Sequence, residues 1–161
     1  MGIAAIELCR HVIRPTLIYL DRQNACAEWL LLGIAASQSS LGAELDSHRG
    51  HGLYGIPEPR HRYIWDSYLA LDPDLASRVR GLASQHAFLS SPHLELTVNL
   101  RYSTAIAWLM IEAHNHSLPS EDDSLGMARI WRTVFQPQGR LKDFVNAWNT
   151  SVAPLHTLAG A

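Results

Sequence analysis

Nine histidines in 161 residues are the most conspicuous chemistry-bearing set in this chain. His48, His51 and His61 flank a glycine-rich stretch, and His114 and His116 stand two apart at the end of a long apolar pattern. Zinc needs three or four convergent ligands at fixed geometry. A His-x-His pair on a helix points its rings apart, and no cysteine pair stands near to complete a set, so the sequence predicts no metal and no cofactor. His114 and His116 fit better as favourable neighbours of a helix C-terminus. The loop histidines read as surface residues, although a cluster titrating near pH 6.5 would make a simple switch. Gly50-His51-Gly52 is too short to cradle a phosphate, and no Lys-Ser/Thr pair follows it. Ser39 and Ser40 lack a base at any definable spacing, which leaves nucleophilic catalysis without support.

The elements that must position these groups follow from composition and spacing. The chain is long enough to bury about two thirds of its unfolded surface in one domain. With 47% apolar and 17% charged residues and a net charge of -2, it has the balance of an ordinary soluble globule. That charge gives no electrostatic case for nucleic acid or anionic lipid. No apolar window approaches the ~20 residues a membrane helix needs; Leu30–Ala36, for one, falls far short. The opening Met-Gly-Ile-Ala-Ala-Ile-Glu does not read as a secretory signal. Cys9 and Cys26 sit in apolar helical patterns, where a small buried hydrophobe is the default reading.

Strand-like alternation is absent and helical spacing recurs throughout, which predicts an all-α domain over residues 1–150 with a loosely ordered tail over 151–161. A short helix runs from about Ile3 to Val12, and Pro15 opens the next. Asn24 caps a central buried helix from about Ala25 to Ser37. Gly42–Pro59 is the one long irregular stretch, of the kind that is functional or mobile. A helical segment over Arg60–Ala70 precedes Asp72-Pro73, which caps and starts a helix to about Ser84. Ser91-Pro92 repeats that signal ahead of the longest helix, extending to about His116. Ser120 or Asp122 caps a helix to Phe135, Gln136–Gly139 is a turn, and Leu141, Phe144, Val145 and Trp148 mark the closing helix. The five tryptophans all lie in helical patterns, where large rings fill cores.

Several motifs, in order, resemble a known family. Leu31-Leu32-Gly33-Ile34-Ala35-Ala36-Ser37-Gln38-Ser39-Ser40-Leu41-Gly42 is similar to the Leu-Leu-Gly-Thr-Ala-Ala-Gln-Glu-Ser-x-x-Gly run of phage-encoded soluble lytic transglycosylase-like proteins. Gly55-Ile56 with Glu58-Pro59, His61 and Ile64-Trp65 resembles that family's Gly-Ile-Tyr-Gln-Met-Glu-Pro-x-Thr-His-x-x-Ile-Trp. Asn99-Leu100-Arg101-Tyr102-Ser103-Thr104-Ala105 resembles Asn-Leu-Pro-Tyr-Ala-Thr-Ala. Ile130-Trp131 with Gly139 to Trp148 looks like the terminal Trp-Lys…Gly-x-x-x-x-Phe-x-x-x-Trp segment. The resemblance covers about Arg14 to Trp148. It implies a lysozyme-like, lytic transglycosylase-like helical domain of about seven helices, in which one glutamate protonates the glycosidic oxygen of peptidoglycan.

Two departures fall at the chemistry. Gln38 stands where the family has its catalytic glutamate, and a carboxamide cannot supply the proton that a carboxyl of raised pKa delivers, a step worth roughly 10²–10⁴-fold in rate. The Tyr-Gln-Met segment is also missing, so Ile56 joins Pro57 directly. A deliberately introduced Glu→Gln change would leave its neighbours intact; Ser37 and the lost segment point to natural drift. The family's cleft positions that persist are Gln38, Glu58, Asn99 and Tyr102, the last two facing the sugar as the resemblance implies. Taken alone, Gln38 reads as an exposed polar residue at a helix end, Tyr102 as core edge and Glu58 as a favourable acidic residue in a first helical turn. Glu44 and Asp46 are the carboxylates that could take over as acid.

The expectation is therefore a catalytically silent relative that serves as a structural or assembly component of a phage particle, in the tail or near the portal. It would be soluble in the host before assembly and bind other virion proteins, in multiple copies. The alternatives are an active peptidoglycan-cleaving enzyme with a relocated acid, and a non-cleaving glycan binder.

Overall fold

The computed structural model describes residues 2–45, 50–83, 89–114 and 117–160. All regular elements among them are helical, and the β pairing there is confined to a single antiparallel bridge, His51 to Ile56. No described helix is long and apolar enough to cross a membrane. Asp46, His48, Ser84 and His116 lie outside the described residues.

The first helical stretch runs unbroken from α1 (Ala5–Leu8) through a widened π-type turn (Cys9–Ile13) into α2 (Arg14–Tyr19), where two separate helices were expected. Pro15 has no N–H to offer the carbonyl of His11 four residues back. Arg101 Nη2 donates to that carbonyl instead, at 3.3 Å. Asn24 caps α3 (Ala25–Ser39) as expected, its side chain accepting from the Ala27 N–H. This helix is the centre of the protein: Ala27, Leu30, Leu31, Leu32, Ile34 and Ala35 are all fully buried. A helix apolar on every face has to be enclosed by its neighbours. Its one charged residue in the core, Glu28, accepts from Arg14 Nε and Nη2 at 3.0 and 2.9 Å.

After the loop come α4 (Glu58–Tyr63), a second π-type turn (Ile64–Tyr68) and a short 3₁₀ turn (Leu69–Leu71). Asp72 caps α5 (Pro73–Leu82) by accepting from the Leu75 N–H, as its Asp-Pro signal predicted. The single long helix expected after Ser91-Pro92 is instead three pieces: a 3₁₀ turn (Pro92–Leu94), α6 (Glu95–Val98) and α7 (Leu100–Ala113). The break has a clear cause. Asn99 adopts an extended backbone and turns its side-chain oxygen to the Tyr102 N–H, starting a new helix as an N-cap. The cap of α8 (Ser124–Val134) is Asp123, accepting from Gly126 N–H, rather than Ser120 or Asp122.

The closing helix α9 (Leu141–Ser151) packs lengthwise on α3. Their contact is close at Gly33, where a methyl group would stand 2.6 Å from Phe144 Cζ and 3.1 Å from Trp148 Cε3. Gly33→Ala should therefore destabilise the fold by about 1–3 kcal/mol through overpacking, despite the better helix propensity of alanine. Urea denaturation of the variant measures this, and equal midpoints would contradict such tight packing. The tail expected to be loose is a helix, α10 (Ala153–Gly160). The ring of His156 sits 4.8 Å from that of Trp29 and 5.9 Å from that of Trp148, which gives the segment an anchor. With the tail helical and the long helix divided, the described residues hold more helices than the about seven anticipated.

Candidate functional site

Gln38 lies in the last turn of α3 and is only 3% exposed. Its amide nitrogen donates to the carbonyl of Tyr54 at 3.1 Å and reaches the carbonyl of Gly55 at 3.4 Å. Its amide oxygen accepts from Trp131 Nε1 at 3.1 Å. One side chain thus joins the end of α3, the loop before α4 and helix α8. A buried amide with both ends satisfied is a stabilising junction, whereas each unmet partner would cost about 1–3 kcal/mol.

The sequence builds this junction locally at each side. Beyond Gln38 the chain turns sharply, with Ser40 at φ 50° and Leu41 at φ 56°, a left-handed conformation that is costly for a leucine. Ser39 steadies the turn: its hydroxyl donates to Leu53 O at 2.7 Å and accepts from the Gly42 N–H at 3.0 Å. The loop opposite is pinned by Tyr54, whose fully buried ring carries a hydroxyl 2.7 Å from Thr104 Oγ1 on α7. Burial pushes that phenol well above its ordinary pKa. Gly52, at φ 76°, lets the loop backbone run against the carbonyl of Leu96, where any side chain would collide.

Gln38 forms part of the floor of an open cleft of about 470 Å³ whose walls include Arg60, Trp131, Phe135, Gln136 and Asp143. Trp131 is held upright by Phe144, with ring centroids 5.8 Å apart. Asp143, in the first turn of α9, is the one carboxylate described in the lining, and it stands half-exposed with Arg140 Nε 3.8 Å away. Reasoning from the sequence did not single out Asp143; its place one residue before Phe144 in the closing motif was the available signal.

The other candidates from the sequence lie elsewhere. Glu44 is exposed just past the α3 turn and is not among the cleft-lining residues described. Tyr102 is completely buried, with its hydroxyl 2.7 Å from His61 Nε2 and accepting from Trp65 Nε1 at 2.8 Å. Asn99 serves the backbone, donating to Leu82 O and to Glu95 Oε2, both at 2.8 Å, while capping α7. Glu58, half-exposed at the start of α4, has Oε1 3.2 Å from His93 Nε2 and Oε2 3.5 Å from His51 Nε2. Glu58 and Tyr102 are therefore ends of one polar line, through His93 and His61, whose Nδ1 atoms stand 2.9 Å apart. Burial, with His93 and His51 nearby, holds His61 down at about pKa 4, against an ordinary 6.5.

His93 was not singled out from the sequence, since its partners are distant along the chain. His114 does what its position suggested, placing Nδ1 2.9 Å from the Met110 carbonyl in the last turn of α7. Cys9 and Cys26 are free and buried; Cys9 approaches Glu28 Oε1 and Cys26 donates to Pro119 O. Burial raises both thiols to about pKa 11, so neither is a reactive thiolate. No group of three or more His, Cys, Asp or Glu side chains among the described residues is arranged to hold a metal ion. No family model, curated protein or solved structure matches the chain.

Proposed function

We propose that this chain is a catalytically silent protein of the lytic transglycosylase-like kind, serving as a structural or assembly component of a phage particle. The observation that carries the silent half of this reading is the bonding of Gln38. The residue at the family's acid position is an amide committed at both ends to protein partners, so it holds a junction and donates no proton to a substrate. The assembly half rests on the motif resemblance alone, which runs from Arg14 to Trp148. Asp143, the carboxylate in the cleft wall, stands half-exposed beside Arg140 rather than in the apolar enclosure of a general acid.

A turbidity assay on purified peptidoglycan sacculi tests the catalytic half. The wild-type chain is expected to leave sacculi intact at pH 6, and Gln38→Glu supplies the comparison. Clearing by the wild type that disappears on altering Glu44, Glu58 or Asp143 would overturn the reading. Co-purification with phage particles at fixed copy number tests the assembly half.

The cleft favours a second reading, a glycan binder that does not cut. An open groove that the edges of the buried Trp131 and Phe135 rings reach, with Arg60, Gln136 and Asp143 supplying polar contacts, offers a mainly polar lining to a glycan. Calorimetric titration with soluble glycan fragments separates the two readings: heat that vanishes in Trp131→Ala supports the binder.

A further inference from the structure

The line from Glu58 to Tyr102 has a fixed direction. A carboxylate only accepts, so a neutral His93 facing Glu58 carries its proton on Nε2 and leaves Nδ1 bare. His61 must then present its own Nδ1–H across the 2.9 Å contact and keep Nε2 bare, and Tyr102 donates its hydroxyl proton to that nitrogen. The far end agrees. The Trp65 indole can only donate, and the Tyr102 oxygen accepts it. Every proton in the line points towards Glu58.

This order holds only while both rings are neutral. One added proton reverses the line, with His93 Nδ1–H donating to a bare His61 Nδ1 and His61 Nε2–H to the Tyr102 oxygen, whereas charge on both rings sets N–H against N–H over 2.9 Å. Burial opposes a charge on His93 more than the Glu58 carboxylate, 3.2 Å from its Nε2, favours it. The His51 ring, stacked 5.9 Å from His93, and Arg62 on the same helix as Glu58 act against that charge as well. At the inner end Arg80 from α5 lies over Trp65 at 5.3 Å, and Glu95 from α6 faces Tyr102.

We propose that this line is an acid-released latch: with neutral rings it ties the Pro92–Leu94 turn and the His51–Ile56 loop to α4, and proton uptake by His93 and His61 frees them. The loop so tied carries the Tyr54 and Gly55 carbonyls that hold Gln38, so release would reach the floor of the cleft. The latch is independent of what the cleft binds.

Two measurements on the intact chain test it. In proton NMR the ring signals of His61 and His93 should not titrate between pH 7.5 and 6. In hydrogen exchange, protection of residues 51–56 and 92–98 should fall at pH 5.0 relative to pH 7.5, while the core amides of α7 keep theirs. A single histidine whose pKa drops from 6.5 to about 4 on latching gives a loss of roughly 30-fold at pH 5. His93→Asn keeps an acceptor for His61 but cannot take up a proton, and its acid-dependent loss should be smaller. The proposal fails if the His61 and His93 rings titrate between pH 7.5 and 6, if protection falls uniformly through α7, or if neither segment changes. Should the variant not fold, the wild-type measurements alone decide.

Discussion

Replacing Gln38 by glutamate should leave the protein nearly as stable as the wild type at pH 4 and cost it about 4 kcal/mol at pH 7. The sign follows from the partners. The amide nitrogen faces two carbonyl oxygens, and only a protonated carboxyl can donate there while still accepting from Trp131. An ionised carboxylate would be buried against the oxygens of Tyr54 and Gly55, so its pKa must rise well above the ordinary value of about 4.3. Between the two pKa values the folded variant holds a proton that the unfolded chain has lost. Stability relative to wild type is then intact below pH 4 and declines as pH rises, levelling off above the folded-state pKa. Urea unfolding of both proteins at pH 4 and pH 7.5 checks this, and a variant indistinguishable from wild type at both would show that Gln38 is not held as described.

The second large effect is expected at Phe144, which is fully buried between the Gly33 surface of α3 and the Trp131 ring. Phe144→Ala should lose about 3–5 kcal/mol, combining lost apolar burial with an unfilled cavity. The cleft should suffer too, because Trp131 would lose the ring that braces it and its bond to Gln38 would loosen. Chemical denaturation measures the first effect, and tryptophan fluorescence under mild quenching by acrylamide reports the second. A loss below about 1 kcal/mol, of the size an exposed substitution gives, would contradict the packing described here.

Features set by neighbours in the chain were legible in the sequence. Asn24 and Asp72 were recognised as caps because an N-cap bonds an N–H three residues on, and the Asp-Pro pair adds a fixed backbone angle. The burial of α3 on every side was equally plain from its unbroken apolar run. Asn99 misled because its flanks, Leu96 and Leu100 onward, keep helical spacing through the break; periodicity does not reveal that the side chain has turned back to cap a second helix. The tail misled for another reason. Its helix is stabilised by His156 against Trp29, 127 positions apart, and no local pattern announces such a contact.

The site divides the same way. The position of Gln38 at the end of a buried helix was readable, but its environment was not, since its partners sit 16 and 93 residues away. The histidine line is an extreme case: His61 and Tyr102 are 41 residues apart, and His93 carries no motif of its own. Taken singly, His61 looked like a surface histidine and Tyr102 like a core-edge residue, and the chemistry arises only from their meeting.

The span of the Gln38 junction has a consequence for how the molecule is made. Trp131 must already be synthesised before the amide oxygen of Gln38 can find its donor, so the cleft floor is among the last features a nascent chain can complete. Contacts of such sequence separation form late in folding, because the intervening chain must be closed against its own entropy. Until then a strained turn at Ser40 and Leu41 and a loop ending in unmet carbonyls remain without their third partner. The amide therefore acts as a checkpoint on the finished chain: a product truncated before α8 would lack both the donor that closes the floor and the closing helix that packs on α3.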